Sequence, residues 1–309
     1  MTSIRIAHLS DLHILDLTGV KRAQLLLNKR ITGWVNLKVK RSSHHKPWVV
    51  EAMADDLAAR RVDHVVVTGD LTNLSLDPEF ERAKAILERM GYGPDEVSVV
   101  PGNHDVYTRG AERSQRFARH FAKYLTSDFV VGGNGHPSGP FPYVRVRGPV
   151  AIIGISTAVA RAPLVASGWA GEAQLDVLAK LLDRVELRDK TVVVLAHHPI
   201  TNPKGSVATV LRGWSEVGAV RKLLGHSPGA LALHGHLHHR VHEVIEAEGG
   251  RIHRLGATSA SLLHRDPDMM SGYNLYEVSG DKGLTRAWAR VWSETSKTFE
   301  EAELPQMRA

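Results

Sequence analysis

The chain has 309 residues, of which 43% are apolar, enough to bury one large core, so we predict a single domain over residues 1–309. Its formal net charge of +6 favours anionic partners, such as phosphorylated ligands, nucleic acid or anionic lipid, and the lack of cysteine excludes disulfides, zinc–thiolate sites and a thiol nucleophile. No apolar run approaches the roughly 18 residues of a membrane-spanning helix and no signal peptide is recognisable, so we expect a cytoplasmic protein.

Predicted strands and helices alternate along the first two thirds of the chain. Six short apolar runs have the composition of strands buried on both faces, and they begin at Ile4, Val62, Val97, Val150, Val192 and Ala230. Helical periodicity covers residues 48–61, 78–90, 111–124 and 172–185. Runs on either side of Gly249–Gly250 and Gly280–Gly283 predict antiparallel hairpins, and residues 294–309 are predicted to be a short C-terminal tail. We therefore predict an α/β fold of two packed mixed β-sheets flanked by helices.

A basic insertion follows the first strand, at about residues 17–46. The stretch from Leu15 to Pro47 contains eight Lys or Arg, all between Lys21 and Lys46, but only one acid, Asp16. At 100° per residue an apolar face forms from Val20, Ala23, Leu27, Ile31, Trp34 and Val35. The pattern fits either an ordinary surface helix packed on the domain, or an arm over residues 20–46 that rests on an anionic membrane or grips an acidic substrate.

Polar motifs follow five of the predicted strands, at the edge where ligands gather in α/β sheets. The motifs read SDLH, TGDLTN, PGNHD, AHHP and HGHLHH, and they place on one rim Asp11, His13, Asp70, Asn103, His104, Asp105, His197, His236 and His238. One such motif is typical of a helix cap or a turn, but caps need no imidazoles. Burying so many ionisable groups together costs several kcal/mol per charge unless a cation neutralises them.

These side chains form an oxygen and nitrogen ligand set without sulfur, which suits two divalent transition-metal ions such as Mn, Fe, Zn or Co. Two ions that share a carboxylate are the arrangement of a binuclear hydrolase.

The ordered blocks D-x-H, G-D-x-x, G-N-H-D, H-x-P and G-H-x-H, from Asp11 to His238, resemble the calcineurin-like metallophosphoesterase superfamily, whose fold is a four-layer αββα sandwich. The resemblance implies that one metal is held by Asp11, His13 and His238, and the other by Asn103, His197 and His236. It implies that Asp70 bridges them. His104 matches the family's non-ligand histidine, which contacts the phosphoryl group and the leaving oxygen, with Asp105 placed to orient it.

The blocks are most similar to a bacterial branch that includes cyclic-nucleotide phosphodiesterases. We therefore expect a phosphodiesterase that hydrolyses a small nucleotide-like substrate by attack of a metal-bridging hydroxide. The alternative is a pyrophosphohydrolase of a nucleotide-linked lipid, similar to UDP-diacylglucosamine, working at the inner face of the membrane. A DNA nuclease is less favoured, because nucleases of the superfamily usually carry additional capping regions, so we do not expect nucleic acid as a partner. A non-catalytic scaffold would have lost ligands, and the sequence does not indicate the oligomeric state.

Overall fold

A computed structural model of the chain describes residues 3–20, 45–130, 136–227, 229–281 and 283–307. Within these ranges the chain forms two mixed β-sheets, one of six and one of seven strands. The strands are β1 (Ser3–Leu9), β2 (His64–Val67), β3 (Val97–Val99), β4 (Tyr143–Arg147), β5 (Val150–Gly154), β6 (Thr191–Leu195), β7 (Ala230–His234), β8 (Val241–Ala247), β9 (Gly250–Gly256), β10 (Gly272–Ser279), β11 (Gly283–Ser293), β12 (Thr298–Glu303) and β13 (Gln306–Met307). The smaller sheet has the order β12-β11-β10-β1-β2-β3 and the larger β13-β8-β9-β7-β6-β5-β4, which confirms the predicted pair of mixed sheets.

Helices flank the sheets in the same described ranges. They are α1 (Pro47–Ala58), α2 (Asp77–Arg89), α3 (Arg109–Arg113), α4 (Arg116–Phe121), α5 (Glu172–Leu182), α6 (Ser206–Arg212) and α7 (Val217–Gly225). The periodicity located α1, α2 and α5 to within a few residues. The single helix predicted over residues 111–124 is wrong, because Gln115 adopts a left-handed backbone, with φ of 45°, which separates α3 from α4.

Strands β6 and β7 show why the central strands are so apolar. In β6, Val193 and Leu195 pack into an apolar cluster that includes residues of both sheets. Their neighbours Val192 and Val194 pack into a second cluster, which includes residues of α5 and α7. A strand covered on both faces has no solvent side, so its sequence does not alternate. Burial of each such side chain contributes about 1.5–3 kcal/mol to folding.

The C-terminal segment differs from the tail predicted from residue 294. Strand β12 pairs antiparallel with β11, and β13 pairs parallel with β8. Phe299 of β12 is buried, with its ring centroid 5.3 Å from that of Trp292. The acids of this segment face outward on an edge strand, as Glu301 does in its ion pair with Arg286. This outward charge gave the segment the composition of a tail.

The basic insertion falls mostly on residues 21–44, which lie outside the described ranges, so its predicted amphipathic helix stays a prediction. The flanking residues place its two ends. Ile14 pairs with Thr72 in a short bridge beside β2, and His45 pairs with Leu262. Among the helices that the structure describes, none has the length and apolarity to cross a membrane.

Candidate metal centre

The polar motifs predicted from the sequence lie just beyond the carboxyl ends of β1, β2 and β3 in one sheet and of β6 and β7 in the other. Backbone hydrogen bonds tie the loops together, because the amides of Asp11 and His13 donate to the carbonyls of Gly69 and Asp70 at 2.9 Å. The loop after β7 is fixed in turn by the His236 amide, which donates to Asp11 Oδ2 at 3.1 Å. Both sheets therefore contribute side chains to one centre.

The first group of donor atoms consists of Asp11, His13 and His238. Asp11 Oδ1 lies 3.1 Å from His238 Nε2 and 3.7 Å from His13 Nε2. The two Nε2 atoms are 3.0 Å apart. One donor atom from each residue lies within 4.8 Å of the other two, a separation that suits three ligands of one metal ion.

The second group consists of Asn103, His197 and His236, and Asp70 lies between the groups. Asn103 Oδ1 is 3.2 Å from His197 Nε2 and 3.2 Å from His236 Nδ1. Asp70 Oδ2 is 3.3 Å from His197 Nε2 and 3.9 Å from His13 Nε2, so one carboxylate oxygen faces both groups. The structure thus brings all seven predicted ligand residues together.

Backbone carbonyls fix the outer nitrogens of the second group. The Nδ1–H of His197 donates to the Thr68 carbonyl at 2.8 Å, and the Nε2–H of His236 donates to the Arg212 carbonyl at 3.2 Å. The inner nitrogen of the His236 ring therefore presents a lone pair toward Asn103 Oδ1, which is also an acceptor. Acceptors that face one another at this distance repel unless a cation lies between them, and histidine ligands held by outer carbonyls are usual around protein-bound metals.

The pKa shifts also indicate a site that lacks positive charge. Burial opposes ionisation of Asp11 and Asp70, but the neighbouring imidazoles outweigh it and hold both pKa values below the ordinary range. Burial alone would lower the pKa of His197, yet the Asp70 carboxylate raises that pKa to about 9. Burial lowers the pKa of His236 to about 3 and keeps its lone pair available for a metal. The donor set and its charge therefore fit divalent cations.

Five of the seven predicted ligands have a left-handed backbone, which costs a non-glycine residue roughly 1–3 kcal/mol. They are Asp11, His13, Asp70, His236 and His238, with φ between 48° and 66°. Each lies in a loop, two to four residues beyond the end of a strand, and contributes its side chain to the centre. The cost of these conformations is consistent with a site selected for its chemistry over its stability.

His104 lies beside the first group, with its ring centroid 5.0 Å from that of His13. Its Nδ1–H donates to the Asn73 carbonyl at 2.7 Å, and its backbone amide donates to Asp70 Oδ1 at 2.7 Å. The Asn73 side chain donates to the His13 carbonyl. The Asn73 backbone therefore determines which edge of the His104 ring faces the centre.

Asp105 was predicted to orient His104, but its carboxylate has other partners. Its carboxylate accepts from the amides of Gly102, Leu71 and Thr72, at 2.9, 3.2 and 2.9 Å, and from the Thr72 hydroxyl at 2.9 Å. Burial, reinforced by the charge of Asp70, raises the pKa of Asp105 to about 7. Asp105 thus fixes the loops after β2 and β3 relative to each other, while the Asn73 carbonyl orients the His104 ring.

His45 was not predicted as a site residue, yet it adjoins the first group. Its ring centroid is 5.2 Å from that of His13 and 5.9 Å from that of His238, and its Nδ1 pairs with Ser261 Oγ at 2.7 Å. His45 lies at the end of the basic insertion and does not follow a predicted strand, so the strand-end criterion could not find it. The sequence signal that could have found it is the pair His44–His45, shortly before Pro47 at the start of α1.

Of the three extra histidines in the motifs, His198 contacts the centre. Its ring packs on that of His236 at 4.3 Å between centroids, and its Nε2–H donates to the Ala166 carbonyl at 2.7 Å. His234 pairs with the Gly235 carbonyl and with Arg254, and His239 is partly exposed. His198 is therefore placed to support a ligand.

Gly235, between β7 and His236, has no room for a side chain. A Cβ there would overlap Ser10 Oγ and Asp11 Oδ2. We expect Gly235→Ala to displace Asp11 and weaken metal binding by about 10–100-fold, the range found when the support of a ligand is removed. Metal titration of the chelated protein measures the change. Gly218→Ala in α7 is the matched control because its Cβ would meet open space, and equal affinities in the two variants would contradict the expectation.

Comparison with known proteins agrees with this geometry. Residues 4–240 match the calcineurin-like phosphoesterase family, whereas a search of curated proteins finds no significant match. The purple acid phosphatase from yellow lupin (Lupinus luteus) seeds aligns with a TM-score of 0.58 and 12% identity, over 98% of this chain and 53% of that chain. A dimetal phosphatase from Danio rerio aligns with a TM-score of 0.54 and 14% identity, over 94% of this chain and 99% of that chain. This chain thus spans about half of the lupin enzyme, and at these identities the likenesses show the fold.

The family match extends from β1 to the residue just before β8 and contains every predicted ligand, from Asp11 to His238. The two sheets and the converging Asp and His side chains are consistent with this match. The chain belongs to the calcineurin-like phosphoesterase family, metal-dependent phosphoester hydrolases that use two divalent metal ions.

Proposed function

We propose that the chain is a phosphodiesterase that hydrolyses a phosphodiester in a small nucleotide-like molecule. The main support for a binuclear site is the position of Asp70 Oδ2, which lies 3.3 Å from His197 Nε2 and 3.9 Å from His13 Nε2. The choice of a diester is supported by the resemblance of the five motifs to the bacterial phosphodiesterase branch.

In this proposal the two groups of the centre have separate roles. Asp11, His13 and His238 hold one metal ion, and Asn103, His197 and His236 hold the other, with Asp70 contributing to both. When bound, ions such as Mn, Fe, Zn or Co supply Lewis acidity, which activates water and offsets the charge of the phosphoryl oxygens.

His104 contacts the phosphoryl group and the leaving oxygen in this proposal. Because its Nδ1–H donates to the Asn73 carbonyl, the opposite ring edge, with Nε2, is directed away from that loop. When protonated, Nε2 donates to the oxygen that leaves and so limits the charge that develops on it. Asp105 acts indirectly, by holding the amides of Gly102 and Thr72 and with them the loops that carry Asp70 and Asn103.

The alternative substrate, a nucleotide-linked lipid similar to UDP-diacylglucosamine, is favoured by a separate observation. Large apolar side chains are exposed on two segments whose carbonyls accept from His198 and His236, among them Leu164 and Val207, which are 86% and 71% exposed. In such a lipid the bond cleaved is a pyrophosphate, and the same ligands and His104 serve that reaction. Location at the inner face of a membrane belongs to this alternative.

Metal analysis together with a substrate panel tests the proposal. We expect mass spectrometry to find two divalent ions per chain, and bis(4-nitrophenyl) phosphate to be hydrolysed faster than 4-nitrophenyl phosphate. Cyclic AMP and a UDP-linked lipid then compare the two substrate classes. Chelated protein is the control and should regain activity on addition of Mn. Faster hydrolysis of the monoester, or activity that survives chelation, would contradict the proposal.

A further inference from the structure

Two segments lie side by side against the metal centre, residues 161–168 and helix α6, and together we call them the rim. The amide of Ala166 donates to the Leu211 carbonyl at 2.8 Å, and that of Gly168 donates to the Gly213 carbonyl at 2.8 Å. The rim also touches the predicted ligands, because the Arg212 carbonyl accepts from His236 Nε2 at 3.2 Å. Any surface that rests on the rim therefore lies next to the centre.

The rim exposes large apolar side chains instead of burying them. Leu164 is 86% exposed, and Val207 and Val210 of α6 are 71% and 68% exposed. No residue of α6 is buried, whereas a surface helix ordinarily packs its apolar positions on the domain. Leu237, between two predicted ligands, is also 46% exposed. Large apolar side chains exposed together on two paired segments are typical of an interaction site.

The backbone at Leu164 is an independent sign that this side chain is used. The Val165 amide donates to the Ala162 carbonyl at 3.2 Å and closes a turn in which Leu164 has a φ of +67°. Pro163 occupies the second turn position, after which a residue of positive φ is normally Gly or Asn. A bulky residue there is strained. Because the Leu164 side chain is exposed, packing within the fold does not offset that strain.

Charge decides which partner fits the patch. Residues 157–171 and 197–215 contain no Asp or Glu, and their Lys and Arg residues are Arg161, Lys204 and Arg212. Lys204 and Arg212 are exposed beside the apolar side chains. The carboxylates of Glu112 and Glu216 reach this region, where they accept from the amides of Ala160 and Gly171 at 2.9 and 3.0 Å. In the described part of the chain neither Lys204 nor Arg212 forms a salt bridge, and apolar side chains beside such cations match a bilayer with anionic headgroups.

We propose that the rim docks on an anionic lipid bilayer, with Leu164, Val207 and Val210 inserted at the level of the headgroups. Lys204 and Arg212 then face lipid phosphates, and the metal centre opens at the membrane surface. This surface is separate from the arm predicted at residues 20–46, most of which lies outside the described ranges. The docking goes beyond the proposed hydrolysis and does not depend on it.

Co-sedimentation with vesicles tests the docking without any measurement of hydrolysis. The full chain is mixed with phosphatidylcholine vesicles, with or without phosphatidylglycerol, and the bound fraction is measured. We expect binding when phosphatidylglycerol is present, and a loss on the order of tenfold or more in the partition coefficient of Val207→Ser/Val210→Ser. Leu164→Gly should also bind more weakly, while its melting temperature stays equal or rises, because glycine relieves the strained turn.

The matched control is Val130→Ser/Val185→Ser, which removes two valines that are 94% and 66% exposed outside the rim. This control should bind vesicles as the unmodified chain does. The proposal is overturned if the rim and control variants bind equally, or if the unmodified chain does not bind anionic vesicles. It is also overturned if only replacement of Lys29, Arg30 and Trp34 abolishes binding, or if the chain sediments equally without vesicles, which would indicate self-association.

Discussion

Replacing Asp70 with Asn is expected to lower kcat/KM for bis(4-nitrophenyl) phosphate by more than about 100-fold and to leave fewer than two metal ions per chain. Loss of a residue that only supports a metal ligand already lowers metal affinity or activity by up to about 100-fold. Asp70 is itself a predicted ligand, so its replacement should cost more. Its Oδ2 faces His197 Nε2 at 3.3 Å and His13 Nε2 at 3.9 Å, so one substitution weakens both groups.

Asparagine is the informative replacement because it keeps the volume of Asp70 and an oxygen that can accept from the His104 amide, a bond of 2.7 Å in the native chain. The loop after β2 should therefore hold its shape, and the loss should reflect the missing charge. Asp176→Asn on the exposed side of α5 is the matched control and should keep both ions and full activity. Two tightly bound ions in the Asp70 variant would show that this carboxylate is not shared.

The sheets could be predicted because their signal is local. Each central strand is a short run of Val, Ile, Leu and Ala, and its burial on both faces is written in its own residues, as in β6 and β7. The break at Gln115 was not predictable from periodicity, because the residues on both sides keep helical spacing. The strand β12 was hidden for a related reason, since its stability comes from Phe299 packing on Trp292, residues that pair only in the folded chain.

The convergence of Asp11, Asp70 and His236 could be predicted because parallel strands end at one edge of a sheet and ligands gather there. What the sequence could not supply is the set of contacts between loops. Two such contacts are the hydrogen bond from His104 Nδ1 to the Asn73 carbonyl and the approach of His45 to His13. Both depend on how separate loops pack, and neither follows from a fixed spacing of residues in the sequence. The exposure of Leu164 could not be predicted either, because a leucine in an apolar stretch is ordinarily interpreted as a core residue.

Replacing His104 with Asn should lower kcat by about 10²–10⁴-fold, the usual contribution of a positioned general acid, while metal content stays the same. The asparagine amide can replace the Nδ1–H that donates to the Asn73 carbonyl, but it has no counterpart of Nε2. The loss should be larger for a diester with an alkoxide leaving group than for one with 4-nitrophenolate, because alkoxide is the stronger base and needs the proton more.

His226→Asn is the matched control for this substitution. His226 is exposed at the end of α7, and its Nδ1–H likewise donates to a backbone carbonyl, that of Lys222, at 2.8 Å, so the same side-chain exchange is made far from the motifs. One donor atom of His104 lies within 4.8 Å of donor atoms of His13 and Asp70, and a ligand role for His104 is therefore the competing assignment. Metal loss from the His104 variant equal to that of the Asp70 variant would establish it as a ligand, whereas retained metal with a loss that depends on the leaving group identifies it as the acid.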